Sequence, residues 1–120
     1  MAHGRILSFK YALEGIWTAV KEEPNLKIHV FIMVLVILLG IYFNLKVWEW
    51  IVVIFAIGLV ITLELTNTAI ETVVDSFTEQ HHPGAKRAKD VASGAVLIMA
   101  LTAASIGLII FLPYFIALFI

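Results

Sequence analysis

The feature that most constrains this chain is its last run of residues, 91–120, which contains no charged side chain. A helix needs about 20 mostly apolar residues to cross the hydrocarbon core of a membrane. Two further apolar stretches, residues 28–43 and 47–63, have comparable character, and the second continues past Glu64 with a helical pattern. The sequence therefore predicts three transmembrane helices.

The composition supports the same class of protein. Hydrophobic residues make up 62% of the 120 residues and charged residues only 14%, which is too little charge for the surface of an ordinary soluble domain. The formal net charge of -1 provides no cationic surplus for binding phosphate backbones, so no nucleic-acid partner is expected. The absence of cysteine excludes disulfides, thiolate metal sites and cysteine nucleophiles. We expect an all-α integral membrane protein.

The distribution of lysine and arginine predicts how the chain is oriented. Cations are concentrated before the first span and between the second and third, whereas Lys46 alone lies between the first two. By the positive-inside rule, the N-terminus and the second connection are cytoplasmic and the C-terminus lies outside. Aromatic residues flank the predicted 44–49 connection, as is typical of a membrane interface. These aromatic residues are Tyr42, Trp48 and Trp50.

The segment before the first span has a helical pattern of its own. Apolar residues recur at spacings of three and four while polar residues occupy the other side, which predicts an amphipathic helix on the cytoplasmic membrane surface. A plain membrane anchor and a lid over an active site both remain open. We assign one domain, 1–120, with the surface helix at 5–23, spans at 27–44, 47–76 and 85–118, and a turn-rich connection at 77–87. Pro113 predicts a tilt or kink in the third span.

A stripe of polar residues begins where the second span leaves the membrane. Glu64, Asn67, Glu71 and Asp75 fall on one helix face at about 100° per residue. A charged residue costs roughly 2.5–3.5 kcal/mol at the bilayer centre and less near the interface, so such residues usually serve a functional site. The turn at 77–87 brings Lys89 back to the same level, together with the neighbouring Asp90.

Phosphoryl transfer is a chemistry that requires this combination of groups. Carboxylate oxygens suit Mg²⁺ on nucleotide phosphates, lysine offsets phosphate charge, and a carboxylate can accept the proton of an attacking hydroxyl. Neither a P-loop nor a kinase glycine loop is present. Interhelical salt bridges, an ion-handling subunit and a structural membrane subunit stay open as alternatives. Small residues in the third span and the shortage of helices around one site predict a homo-oligomeric bundle.

The stripe belongs to a longer pattern of residues. It lies in the run Glu64-Leu65-Thr66-Asn67-Thr68-Ala69-Ile70-Glu71-Thr72-Val73-Val74-Asp75, which is followed by His82-Pro83, Ala85-Lys86, Ala88-Lys89-Asp90 and Ala95-Val96 and preceded by Tyr11, Gly15 and Glu23. With these residues, almost the whole chain resembles the prokaryotic diacylglycerol kinase family. Segment 25–29 is similar to the Gram-positive branch of that family, whose members phosphorylate undecaprenol, whereas the other branch carries Glu where this chain has His29. The resemblance therefore favours undecaprenol as the substrate, with diacylglycerol as the alternative.

The resemblance implies a role for each of these side chains. Glu64 would be the general base for the lipid hydroxyl, with Asn67 and Asp90 holding its surroundings and contacting the substrates. Glu23 and Glu71 would bind Mg²⁺ with the phosphates of ATP, and Lys89 would contact the γ-phosphate. Further residues would line the nucleotide side, namely Tyr11, Gly15, Asp75, His82 and Lys86.

The resemblance implies an assembly and a location as well. It implies a domain-swapped homotrimer with shared active sites, at the cytoplasmic face of the bacterial inner membrane. Transfer from ATP would be direct, giving undecaprenyl phosphate. His29 is left out of the expected site because a histidine near a helix start is more often interfacial or hydrogen-bonded than catalytic.

Overall fold

Four α-helices make up the part of the chain that the computed structural model describes, residues 2–78 and 81–120. They are α1 (Ala2–Glu22), α2 (Pro24–Phe43), α3 (Val47–Phe77) and α4 (Pro83–Leu118). No strand occurs in these residues, and α2, α3 and α4 are each long and apolar enough to cross a membrane. The predicted all-α class with three candidate spans is confirmed. Met1, Glu79 and Gln80, which the predicted domain and the 77–87 connection include, lie outside the described residues.

The turn between α1 and α2 is a single residue, Glu23. Pro24 occupies the first turn of α2, where its missing N–H costs nothing and its fixed φ suits a helix start. Leu26 is fully buried at this corner, and Ala19 is buried on the preceding helix. Most of the apolar face of α1 stays exposed, including Phe9 and Trp17. A helix with such a face needs a membrane surface or another protein to cover it.

The connection between α2 and α3 consists of residues 44–46, and α3 begins at Val47. The backbone N–H of Lys46 donates to Oε1 of Glu49 at 2.9 Å, and this capping contact draws Glu49 into the first turn of the helix. Asn44 ends α2 in the left-handed region with φ 56. Gly40 lies under Trp50 so closely that a Cβ there would stand 2.6 Å from the indole.

The tightest packing of the bundle lies at the end that contains residues 44–46, which we call the Asn44 end. Its buried cluster consists of Leu45, Val53, Ile110 and Phe111. Phe43 packs against the ring of Tyr114, whose hydroxyl donates to Glu49. Van der Waals packing and buried hydrogen bonds are the forces that join helices in a membrane. This end therefore holds the buried hydrophobic cluster of the described residues.

The opposite end, which contains Glu23, Thr78, His81 and His82, we call the Pro83 end. Here α4 begins at Pro83, so the predicted 77–87 connection was too long and the third span was placed two residues too late at its start. The reason is a local cap: Nδ1 of His82 accepts from the backbone N–H groups of Gly84 and Ala85 at 3.1 and 3.2 Å. α4 then runs as one helix through Pro113 to Leu118.

Helix length shows that the Pro83 end projects beyond the hydrocarbon. At about 1.5 Å per residue, the 31 residues of α3 and the 36 of α4 are much longer than the roughly 30 Å of a hydrocarbon core. The charged residues of these two helices, apart from Glu49, lie in the last part of α3 and the first part of α4. The charged segments therefore extend into the polar region together, side by side.

Candidate active site

The polar stripe of α3 begins with two buried side chains. Glu64 is 3% exposed and Asn67 is 8% exposed, while Glu71, one turn further on, is half-buried. Exposure increases along the stripe because the stripe starts among the apolar helices and ends where α3 projects from them. A buried carboxylate is costly unless it finds a partner, so its presence at this point is informative.

Asn67 forms a hydrogen bond to the next acid of the stripe, and its amide oxygen has no hydrogen-bond partner among the described residues. Its Nδ2 donates to Oε1 of Glu71 at 3.3 Å. Its Oδ1 is buried and has no hydrogen-bond partner among the described residues. Buried polar atoms without partners are rare, and each calls for an explanation such as an absent ligand. A substrate hydroxyl or another donor reaching this point would satisfy the amide oxygen.

The start of α4 brings two lysines and an acid to the end of the stripe. Nζ of Lys89 lies 2.8 Å from Oδ1 of Asp75 on α3. Nζ of Lys86 lies 2.6 Å from Oδ2 of Asp90, one turn along the same helix. As the sequence predicted, Lys89 and Asp90 pair with other residues and not with each other. The interhelical salt bridge left open as an alternative does form in this chain.

These ion pairs are weak enough to be exchanged for a ligand. In the Lys89–Asp75 pair the side chains are 38% and 63% exposed. Exposed pairs of this kind contribute about 0–1 kcal/mol, because water screens the charges. An incoming phosphate can therefore replace the carboxylate partner of either lysine at a small cost in free energy. The salt bridge thus does not exclude a role for Lys89 in binding.

A polar cavity of about 770 Å³ opens beside these pairs at the Pro83 end. Volumes of this size hold nucleotide-sized ligands. Lysines and carboxylates on its wall would contact phosphates and their counter-ions. Six of the residues that line it are Asp75, His82, Pro83, Lys86, Lys89 and Asp90.

The expected residues on and next to α1 make no hydrogen bond or ion pair with the stripe in the described part of the chain. Tyr11 is exposed, and a Cβ added at Gly15 would meet nothing within 4 Å. Glu23 is half-buried in the turn before α2, and neither its carboxylate nor the Tyr11 hydroxyl forms a hydrogen bond or ion pair within residues 4–78 and 81–120. The same residues contain no group of three or more histidine, aspartate or glutamate side chains that could hold a metal ion.

The sequence analysis missed one contact of the stripe. Nε2 of His29 on α2 lies 3.7 Å from Oε2 of Glu64, and the two side chains are 21% and 4% exposed. The sequence does contain an indication of this contact. Both residues lie where the apolar run of their helix meets its charged part, and the short connection makes the two helices antiparallel. Which faces of those helices meet depends on packing, and the sequence pattern did not specify it.

A second cavity, of about 260 Å³, lies between α2, α3 and α4. Its wall is apolar apart from His29, and small residues of α4 leave the space open. A cavity of this character accepts hydrocarbon and excludes charged groups. Representative lining residues are His29, Met33, Val60, Ala103, Ala104 and Gly107.

Comparison with known proteins connects this geometry to a family. Residues 10–111 match the family model described as prokaryotic diacylglycerol kinase. The chain is 44% identical over 106 residues to the undecaprenol kinase of Bacillus subtilis (strain 168), covering 88% of this chain and 86% of that protein. It is 37% identical over 121 residues to the diacylglycerol kinase of Synechocystis sp., covering 100% of this chain and 69% of the relative. The diacylglycerol kinase of Haemophilus influenzae is 38% identical over 93 residues, with 78% and 79% covered.

Proposed function

The chain belongs to the prokaryotic diacylglycerol kinase family, and from that membership we propose that this lipid kinase transfers the γ-phosphate of ATP to undecaprenol. The substrate is suggested by the 44% identity to a protein named undecaprenol kinase over 88% of the chain. The family membership sets aside the ion-handling and purely structural alternatives.

The observation that carries the proposed reaction is the position of Glu64. Along α3, this buried carboxylate follows Val60, which lines the apolar cavity, and precedes Asp75, which lines the 770 Å³ cavity, although Glu64 itself lines neither. A reaction between a lipid alcohol and a water-soluble nucleotide needs a base at such a boundary. Holding both reactants there removes much of the entropic barrier to their encounter.

The proposed transfer is a single displacement. Glu64 accepts the proton of the lipid hydroxyl while the hydroxyl oxygen forms a bond to the γ-phosphorus. The bond from that phosphorus to the β–γ bridging oxygen breaks, and ADP leaves. Asn67 contributes its buried amide oxygen next to the base, and Asp90 supports the surroundings. Lys89 exchanges Asp75 for the γ-phosphate and offsets its charge.

Mg²⁺ is the metal ion that this donor set fits. Carboxylate oxygens of Glu71 and Glu23 are hard ligands of the type that Mg²⁺ prefers, together with nucleotide phosphates and water. A bound Mg²⁺ would offset the negative charge of the phosphates. Few protein ligands are needed, because Mg²⁺ usually retains several waters and substrate oxygens. The two glutamates would bind it along with the nucleotide.

The nucleotide side of the site is proposed at the Pro83 end. Lys86 and His82 line the 770 Å³ cavity, as does Asp75. Tyr11 and Gly15 lie on α1, whose exposed face is available to a nucleotide held by the same subunit or by a neighbour. An open glycine allows close approach of a ligand to the helix backbone.

We further propose a homotrimer with shared active sites in the bacterial inner membrane. The α4 surface supports an oligomer, because large side chains such as Leu101 and Ile109 are exposed beside small residues that permit close helix packing. The N-terminus would be cytoplasmic and the C-terminus outside, following the cations at the Pro83 end.

Diacylglycerol is the second candidate substrate. It is favoured by the relatives that carry the name diacylglycerol kinase, one of which aligns with all of this chain. Both lipids present a hydroxyl attached to long hydrocarbon, so the apolar cavity suits either. The product would then be phosphatidic acid.

The test is phosphate transfer from γ-labelled ATP by the purified chain in mixed micelles. Undecaprenol and diacylglycerol are offered separately and together, with Mg²⁺ present or replaced by a chelator. We expect Mg²⁺-dependent labelling of undecaprenol and weaker labelling of diacylglycerol. The reverse preference would assign the second substrate, and labelling of neither lipid by an intact oligomer would contradict the proposed function.

A further inference from the structure

Among the described residues, His29 is the basic side chain that lies nearest to the buried carboxylate of Glu64. Their nearest atoms, Nε2 and Oε2, are 3.7 Å apart. Within the described residues, no other lysine, arginine or histidine nitrogen lies within 4.0 Å of the Glu64 carboxylate. Asn67 gives its amide N–H to Glu71 instead. The imidazole is therefore the group in this chain that can hold the Glu64 carboxylate in place.

A buried glutamate needs such a partner to act as a base. Its side chain has several rotatable bonds, and the carboxylate must point one oxygen at the proton it accepts. A neighbouring imidazole favours one orientation through its charge or dipole, since the 3.7 Å between Nε2 and Oε2 is beyond direct hydrogen-bond distance. The contact is with Oε2, which leaves Oε1 as the oxygen directed elsewhere.

His29 also stands at the polar end of the apolar cavity. It is the one ionisable residue among those that line that 260 Å³ space between α2, α3 and α4. It does not line the 770 Å³ cavity at the Pro83 end, where the nucleotide is proposed to bind. The imidazole thus borders the lipid side of the site and the base, and is separate from the nucleotide side.

We propose that His29 is a positioning residue, whose imidazole orients the Glu64 carboxylate at the end of the apolar cavity where the lipid hydroxyl arrives. This inference rests on the proposed function. The consequence is kinetic: removing the imidazole impairs the chemical step and leaves nucleotide binding unchanged. A side chain that returns an N–H donor to the position of Nε2 restores the orientation.

The experiment compares substitutions at His29 in the full-length chain. His29→Leu keeps an apolar residue of similar bulk and removes both ring nitrogens. We expect its kcat to fall about 10²-fold, the loss that a small misplacement of reacting groups produces. The KM for ATP stays within about twofold, because interactions with ATP are unaffected. Lys27→Gln is the matched control, since it removes an exposed cation two residues away on the same helix and should leave kcat unchanged.

Two conservative variants separate positioning from general stability. The amide nitrogen of Gln can reach the position of Nε2, whereas that of Asn corresponds to Nδ1. His29→Gln should therefore recover more kcat than His29→Asn. His29→Gly creates space for a free ring, and added imidazole should raise its rate while leaving the Lys27→Gln rate unchanged.

The outcomes distinguish this inference from the proposed function. Activity of the wild type on undecaprenol or diacylglycerol is measured first, and its absence counts against the function. With an active wild type, an intact His29→Leu oligomer that retains kcat would overturn the positioning role. So would a rise in the KM for ATP at unchanged kcat, or equal recovery by Gln and Asn.

Discussion

At the scale of single residues, the members of the stripe differ from the charges at the start of α4 in how far they are removed from water. Glu64 and Asn67 are removed from water, and Glu71 is partly removed. Charges in such surroundings interact more strongly than exposed ones because the local dielectric is low. The exposed pairs at the start of α4 are weak by comparison and are available for exchange.

Neutralising either acid of the stripe tests this difference. We expect Glu64→Gln and Glu71→Gln each to lower kcat by at least about 10²-fold, the contribution typical of a general base or of a charge-stabilising group. The oligomer should stay folded, because glutamine keeps the shape of the side chain. Labelling of lipid by the purified variants measures the effect.

The control is Glu22→Gln, which changes an exposed acid at the end of α1. Its turnover should equal that of the wild type. Near-normal turnover in both stripe variants would show that neither acid serves the reaction, and the site would have to be sought elsewhere in the chain.

At the scale of helices, the sequence predicted which segments are helical, whereas the hydrogen bonds that begin two of the helices required the structure. The long apolar runs were sufficient to predict the three spans, because a transmembrane helix is recognised by its length and its apolar composition. The starts of α3 and α4 depend on caps made by Glu49 and His82, whose hydrogen bonds only the structure reveals. The His29–Glu64 contact was missed for a related reason, since it depends on which faces of α2 and α3 meet.

Helix contact at the Asn44 end can be tested with two glycines. A Cβ at Gly40 would lie 2.6 Å from Trp50, whereas one at Gly58 would meet nothing within 4 Å. Gly40→Ala should destabilise the chain, because overpacking costs about 1–3 kcal/mol and helix propensity returns only about 0.8–1 kcal/mol. Gly58→Ala should be neutral or stabilising. Thermal unfolding in the same detergent measures both, and an equal Tm for the two variants would contradict the close packing of Gly40 against Trp50.

At the scale of the whole molecule, a single chain exposes much surface that a neighbour can cover. Tyr11 and Gly15 on α1 are open, and many large apolar side chains of the spans are exposed. A neighbouring subunit could supply further contacts and cover those surfaces. The family resemblance predicted such sharing, and the geometry of a single chain is compatible with it.

Mixed oligomers test whether sites are shared. Chains carrying Glu23→Gln and chains carrying Glu64→Gln should each be inactive alone. If one site draws these residues from two subunits, unfolding the two variants together and refolding them as a mixture restores a fraction of the activity. Mixing them after separate refolding is the control. Recovery that never exceeds the sum of the separate activities would place both residues in the same subunit.

The cluster of Leu45, Val53, Ile110 and Phe111 lies toward the Asn44 end, and two of its members, Val53 and Phe111, also line the apolar cavity. The side chains proposed to meet the nucleotide lie at the Pro83 end, on helix ends joined by weak pairs. Substitutions at those ends should therefore change the free energy of unfolding only slightly. Residues at those helix ends can therefore change during evolution while the packing of the Asn44 end is retained.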